Sequence, residues 1–314
     1  MSSPTASPTD TNYFTDGDQL DQYTSDMRAS DTKKVSDANT ASQTIDTFAA
    51  ETGAGAWSSL DRATVAARLK ELVSNPRALN QASLNLCGPA AFFMEWIGRD
   101  PQAFATFATA LFDAGDASIG SLDVKPDQDL IGADYNTLVS GGGGNPPAQA
   151  DWMILGALRN AHQVFWQPSW AGDPKQELAA LTRPEEVTDW FNAAGIFTKV
   201  SNEANWATLA GIPHATSITL SEGTSAVLLI HMNLIAQATI DGKPAAENVG
   251  VDNTFLLNQF PNHFVHLLSE VTPSADHQTV RLSIWSWGRS FLNMVVPQDA
   301  FVNGYFGAVK TYIG

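Results

Sequence analysis

The spacing of apolar residues changes character once along this chain, near residue 222, and that change limits the folds open to it. Before it, apolar residues recur at helical intervals. In "AWSSLDRATVAARLKELVSNP", Leu60, Val65, Ala66, Leu69 and Leu72 share one face, and Pro76 follows the end. Helices are next expected over Cys87 to Ile97 and over "PQAFATFATALF", where Pro101 suits a first turn. "DWMILGALRNAHQVF" reads as another. "TRPEEVTDWFNAAG" reads as a further one, with Thr182 as cap, Pro184 and two glutamates in the first turn, and Gly195 as the stop. After residue 222, "SAVLLIHMNLI", "HFVHLLSEV" and "TVRLSIWSWG" are apolar or alternating runs of strand length between turn-rich segments. Helices first and a sheet afterwards predict an α+β fold.

Residues 1–55 are rich in Ser, Thr, Asp, Ala and Gln, and bury too little to offset their ordering entropy. They are expected to form a disordered tail, either a docking leader or a solubilising extension, with a single domain over 56–314. The glycines of "SGGGGNPPAQ" (140–149) lack the Lys-Ser/Thr that follows in a phosphate loop, so nucleotide binding is not expected. A net charge of −16 argues against nucleic acid and anionic membranes as partners. No apolar run reaches the ~18 residues of a membrane span, and "MSSPTASPTDTNYF" lacks the layout of a secretory signal.

One cysteine, Cys87, rules out an intrachain disulfide and a multi-cysteine zinc site. It stands at an expected helix start, "CGPAAFFMEWI", where a thiolate is stabilised and where unpartnered backbone N–H groups can hold an oxyanion. Gln81, on the preceding loop, is a second oxyanion donor. The plain alternative is that Cys87 is a small buried hydrophobe.

A nucleophile needs a base. Of six histidines, His162 lies in an amphipathic helix, His277 in a polar turn and His214 in a loop, while His231 interrupts an apolar strand as a hydrogen-bonded core residue would. Strand alternation puts His263 and His266 of "FPNHFVHLLSEV" on opposite faces, so at most one faces Cys87. Their spacing suits a metal only on a helix, and no third ligand is evident, so neither a metal nor a cofactor is expected.

Gln81, five residues, then Cys87-Gly-Pro-Ala-Ala resembles the active-site segment of papain-like cysteine peptidases, closest to the bacterial branch that includes the bacteriocin-leader peptidases. The resemblance covers mainly 81–97 and 222–290; residues 100–220 stand between as a large insertion. It implies a helical part carrying the nucleophile helix and a C-terminal antiparallel sheet carrying the histidine. Pro-Asn-His263 opening a strand and "WSWG" at 285–288 ending the next agree with that order. The family's third residue, an Asn or Asp that orients the imidazole, has no plain counterpart: Trp285 stands there and cannot accept a hydrogen bond. Ser286, on the other strand face, can; Asn262 is a less natural choice. Trp287 matches the tryptophan that shields the histidine. Trp152, Trp166, Trp170 and Trp190 are core residues or the lining of a substrate groove.

Two functions stay open. One is a cysteine-dependent amide hydrolase, most simply a peptidase, with Cys87, His263, Gln81 and Ser286 as its site and a peptide bond in a protein or in peptidoglycan as substrate. The other is an inactive papain-like scaffold acting as a binding or adaptor protein. The acidic chain, without a Sec signal and with a polar tail, resembles a bacterial effector or toxin made in the cytoplasm and exported by a dedicated secretion or injection apparatus. Apparatus or immunity partners would then meet residues 1–55. A housekeeping cytoplasmic peptidase is the alternative.

Overall fold

A computed structural model describes residues 33–140, 146–162, 170–173, 181–246 and 260–314. Its first half is helical: α1 (Ala38–Ala50), α2 (Arg62–Ser74), α3 (Cys87–Arg99), α4 (Pro101–Ala114), α5 (Gln149–Ala161) and α6 (Pro184–Ala194). A small hairpin, β1 (Ala117–Ile119) with β2 (Leu122–Val124), follows α4.

The second half supplies the main sheet, every pairing of which is antiparallel. Its strands are β3 (Lys199–Asn202), β4 (Thr224–Ile230), β5 (Thr239–Ile240), β6 (Lys243–Pro244), β7 (His263–Leu267), β8 (Thr272–Pro273), β9 (Thr279–Ser286), β10 (Arg289–Pro297) and β11 (Tyr305–Tyr312). They run in the spatial order β3-β11-β4-β7-β9-β10-β5-β6, with β8 beside β9. This is an α+β protein of mixed helices and antiparallel sheet.

Both faces of the sheet are covered, which explains why every residue of β7 and all but the first of β4 are buried. Val227, Leu229, Phe264 and Trp285 point into one core with the long helices. Leu228, Ile230, Val265, Leu267 and Ile284 point into a second core. That core is closed by short helices at Gly211–Thr216, Asn233–Ala236 and Gln298–Gly304. Residues 100–220 are no separate unit: α4, α5 and α6 pack into the first core, and β3 pairs with β11.

The tail is shorter than composition suggests. Residues 38–50 form α1, capped by the Asp37 side chain, and bury Ala41, Ile45 and Phe48. These three recur at intervals of four and three, a helical stripe in an otherwise polar segment. The Phe48 ring meets Phe112 edge-on at 5.2 Å. Residues 1–32, the rest of the expected tail, lie outside the described residues. Thr182 is not the cap of α6 either. Arg183 occupies that position, and its backbone N–H donates to the Glu186 carboxylate at 2.8 Å.

Candidate active site around Cys87 and His263

Three loops and one strand end converge at the start of α3. The helix opens without a side-chain cap, so the N–H groups of its first turn have no helical partner. Pro89 in that turn has no N–H to satisfy. Cys87, the first helical residue, is nearly buried at 8% exposure. Its thiol points at the backbone carbonyl of Asn262, 4.0 Å away, and the Phe264 backbone also bears on the sulfur. Cys87 thus lies against the strand segment that carries His263.

His263 is the first residue of β7, and Ser286 the last of β9. The register pairs His266 with Trp285, which puts Ser286 on the strand face of Val265 and His263. His263 Nε2 and Ser286 Oγ are 2.6 Å apart and both residues are buried. With the proton on Nε2, Ser286 accepts it and Nδ1 is left as the basic nitrogen.

The Trp287 ring stacks on the imidazole at 4.4 Å and 17°. Trp287 and Gly288 form a two-residue hairpin tip with φ of 49° and 74°, between Ser286 and Arg289, which pair. A left-handed backbone is costly for a bulky residue, so the packing of the indole must hold it there. Behind the tip, Gly288 comes so close to Asn80 and the Ala78 carbonyl that a Cβ would stand 3.1 Å from each.

That contact carries the Gln81 loop. Asp151 of α5, fully buried, accepts two hydrogen bonds from Arg68 and one from the Asn80 N–H. Asn80 Oδ1 then accepts from the Ala82 N–H, with Ala82 at a φ of 53°. The Gln81 side chain is buried, and its Nε2 donates to the Leu84 carbonyl at 2.9 Å. The carboxamide therefore caps its own loop with one N–H, which leaves one for other work.

The structure bears on four of the readings. Asn262 does not orient the imidazole, because its Oδ1 accepts from the Met232 N–H at 2.9 Å. Trp152, Trp170 and Trp190 line no groove: each is 2% exposed or less and sits in the core. Trp166 lies outside the described residues. His266 is the histidine that faces α3, but it is committed there, with Nε2 2.7 Å from the Ala91 carbonyl and Nδ1 3.8 Å from Glu95. Glu95 in turn pairs with Arg99 at 2.7 Å. Burial works to raise the Glu95 carboxyl, yet Arg99 and His266 outweigh it and hold the group ionised.

The last concerns charge. Burial pushes the Cys87 thiol up to about 11, against opposing backbone N–H groups and the field of Arg159. Burial also pulls His263 down to about 3. At neutral pH the site therefore holds a thiol and a neutral imidazole rather than the thiolate that a helix start favours, and no hydrogen bond joins the two among the described residues.

Residues of the insertion complete this corner, and their separation in sequence concealed them. Thr182 packs so tightly on Gly88 that a Cβ there would stand 2.5 Å from it. In the first turn of α6, Glu186 pairs with the fully buried Arg159 of α5 at 2.8 Å. Among the described residues no group of three or more His, Cys, Asp and Glu side chains could hold a metal ion, and no helix is long and apolar enough to cross a membrane. No family model matches the chain, and neither a curated protein nor a solved structure matches it.

Proposed function

We propose that this protein is a cysteine-dependent amide hydrolase of papain-like design, most simply a peptidase. The observation that carries the reading is the buried Ser286–His263 hydrogen bond under the Trp287 ring, at the strand end against which Cys87 opens a helix. The Ser286–His263 pair comes from two strands, and Cys87, from a third distant segment, has its thiol 4.0 Å from the carbonyl of Asn262, the residue before His263. Ser286 takes the role of the missing Asn or Asp.

Because both groups are held neutral, the first step is a proton transfer coupled to attack. His263 Nδ1 takes the thiol proton while Cys87 Sγ bonds to the carbonyl carbon, and the π pair moves to oxygen. The Cys87 backbone N–H and the second N–H of Gln81 hold that oxyanion. The imidazolium, steadied through Nε2 by Ser286, returns the proton to the departing amine. Water, deprotonated by His263, then cleaves the thioester. A peptide bond in a protein or in peptidoglycan fits this machinery, and delivery as a secreted effector fits the acidic chain.

The test is hydrolysis of a mixed peptide library and of peptidoglycan fragments by the wild type and by Cys87→Ala. Cleavage by the first alone supports the reading, and cleavage retained in Cys87→Ala overturns it. A second reading, a non-catalytic binding scaffold, is favoured by one observation, the near-complete burial of Cys87 and His263. It predicts no cleavage by either protein.

A further inference from the structure

The Asp151 carboxylate is fully buried, and no step of the proposed hydrolysis uses it. Its place in the first turn of α5 accounts for an acid there, since a helix start favours negative charge. It does not account for the burial. Taking a carboxylate and a guanidinium out of water costs about as much as their attraction returns, and an apolar pair of similar volume would join α2 to α5 as well. What an apolar pair lacks is hydrogen bonds to the chain that runs past it.

Both carboxylate oxygens are engaged. Oδ1 accepts from Arg68 Nε at 2.9 Å, and Oδ2 accepts from Arg68 Nη2 at 2.8 Å and from the Asn80 N–H at 2.9 Å. Arg68 Nη2 also donates to the Ala78 carbonyl at 2.6 Å. The ion pair therefore grips the backbone on both sides of Leu79. Toward Gln81, Asn80 Oδ1 accepts from the Ala82 N–H at 2.7 Å, so both neighbours of Gln81 are tied down. Toward the imidazole, Trp285 Nε1 donates to the Arg77 carbonyl at 2.7 Å, one residue before Ser286. Gly288, one residue past Trp287, lies on the Ala78 carbonyl and the Asn80 side chain, where a Cβ would stand 3.1 Å from each. Residues 77–80 thus touch the oxyanion side and the imidazole side of the site at once.

We propose that Asp151, held by Arg68, is a positioning residue that clamps residues 78–80 and so fixes the Gln81 loop and the Ser286–Trp287 tip relative to each other. Its catalytic consequence rests on the hydrolase reading; the clamp itself does not. Gln81 faces the oxyanion and Ser286 steadies the imidazole, so the rate depends on the spacing between two segments far apart in sequence. A misplacement of about 1 Å there costs on the order of 10²-fold. A common anchor gives the two segments one geometry.

The experiment compares amide hydrogen exchange of full-length wild type, Asp151→Asn and the double variant Arg68→Met with Asp151→Leu, read by mass spectrometry over 77–84 and 285–291. Asp151 makes no hydrogen bond or ion pair to 285–291 among the described residues, so a change there reports transmission through 77–80. Both segments should exchange faster in both variants, on the order of 10-fold. The double variant is decisive, because an apolar pair replaces a merely structural ion pair with the melting temperature and the exchange of 285–291 kept. On any substrate that the wild type cleaves, the double variant should lose on the order of 10²-fold in kcat with KM little changed. Should these variants fail to fold, Asn80→Ala breaks the next link and should quicken both segments, while Asn80→Ser, which keeps an oxygen for the Ala82 N–H, should restore 81–84. Exchange of 285–291 equal to wild type in the folded variants overturns the clamp, as does cleavage with an unchanged kcat. Faster exchange of both segments in a protein whose wild type cleaves nothing keeps the clamp and removes only the hydrolase reading.

Discussion

Replacing Ser286 with Ala would leave His263 Nε2 buried without its partner and the ring free to turn under Trp287. Such a loss of orientation should lower kcat on the order of 10- to 100-fold while KM changes little. Steady-state kinetics of Ser286→Ala beside Ser286→Asn, which restores an acceptor, reads this directly; an unchanged kcat in the alanine variant would remove Ser286 from the site. Gln81 asks for a double readout, because its carboxamide already donates to Leu84. Gln81→Ala should cost about 1 kcal/mol of stability from that bond and, separately, on the order of 10²-fold in kcat from the oxyanion. A stability loss with kcat intact would leave it a loop cap. The places of Cys87 at a helix start and of His263 and Ser286 at strand ends were legible because they depend on strand alternation and on a helix start, which are local. Gln81's bond to Leu84, the left-handed Trp287 and the neutral state of the pair were not, since each depends on loop closure and burial.

At the scale of elements, α3 is fixed on β7 by His266 reaching the Ala91 carbonyl and by Glu95 between His266 and Arg99. This lock sets the height of Cys87 relative to His263. His266→Ala should therefore destabilise the protein by about 1–3 kcal/mol, with kcat changing less than in His263→Ala. Denaturant titration and kinetics of the two variants test the ranking, and the reverse order would mean that the strand faces are misassigned. The helices were legible wherever apolar spacing was dense, as in α2 and α3. The first helix, α1, was hidden because Ala41, Ile45 and Phe48 are its only core residues among many polar ones. That makes a further prediction. A chain beginning at residue 56 loses Phe48 from the Phe112 contact and should be less stable than one beginning at residue 33 by about 3 kcal/mol or more. Equal melting temperatures would show that α1 contributes little.

For the whole molecule, the two buried groups of the site set limits on the pH range of stability. His263 titrates near 6.5 when unfolded and near 3 when folded. Between those values the unfolded chain binds a proton that the folded one refuses, so stability falls as pH drops through that window. Cys87 works at the other end, with 9.0 as its ordinary value and about 11 in the fold. Its contribution is present below pH 9 and is lost as pH rises from 9 to 11. His263→Gln should flatten the acid limb of a melting-temperature profile, and Cys87→Ala the alkaline limb. Profiles parallel to wild type would place the burial effect elsewhere. The division into helical core and covered sheet was legible from the change in apolar spacing near residue 222. The approach of Thr182 to Gly88 and the pairing of Arg159 with Glu186 were not, since only the folded chain brings these residues together.

The central claim is that Cys87 attacks with His263 as its base. The most direct measurement is the rate at which a peptidyl epoxide modifies Cys87 near neutral pH, read as the mass of the intact protein, in wild type and in His263→Ala. With the thiol pushed up to about 11, attack without a base is slow. The account predicts a rate in wild type at least on the order of 10²-fold above that of the variant. Equal rates in the two proteins would contradict it.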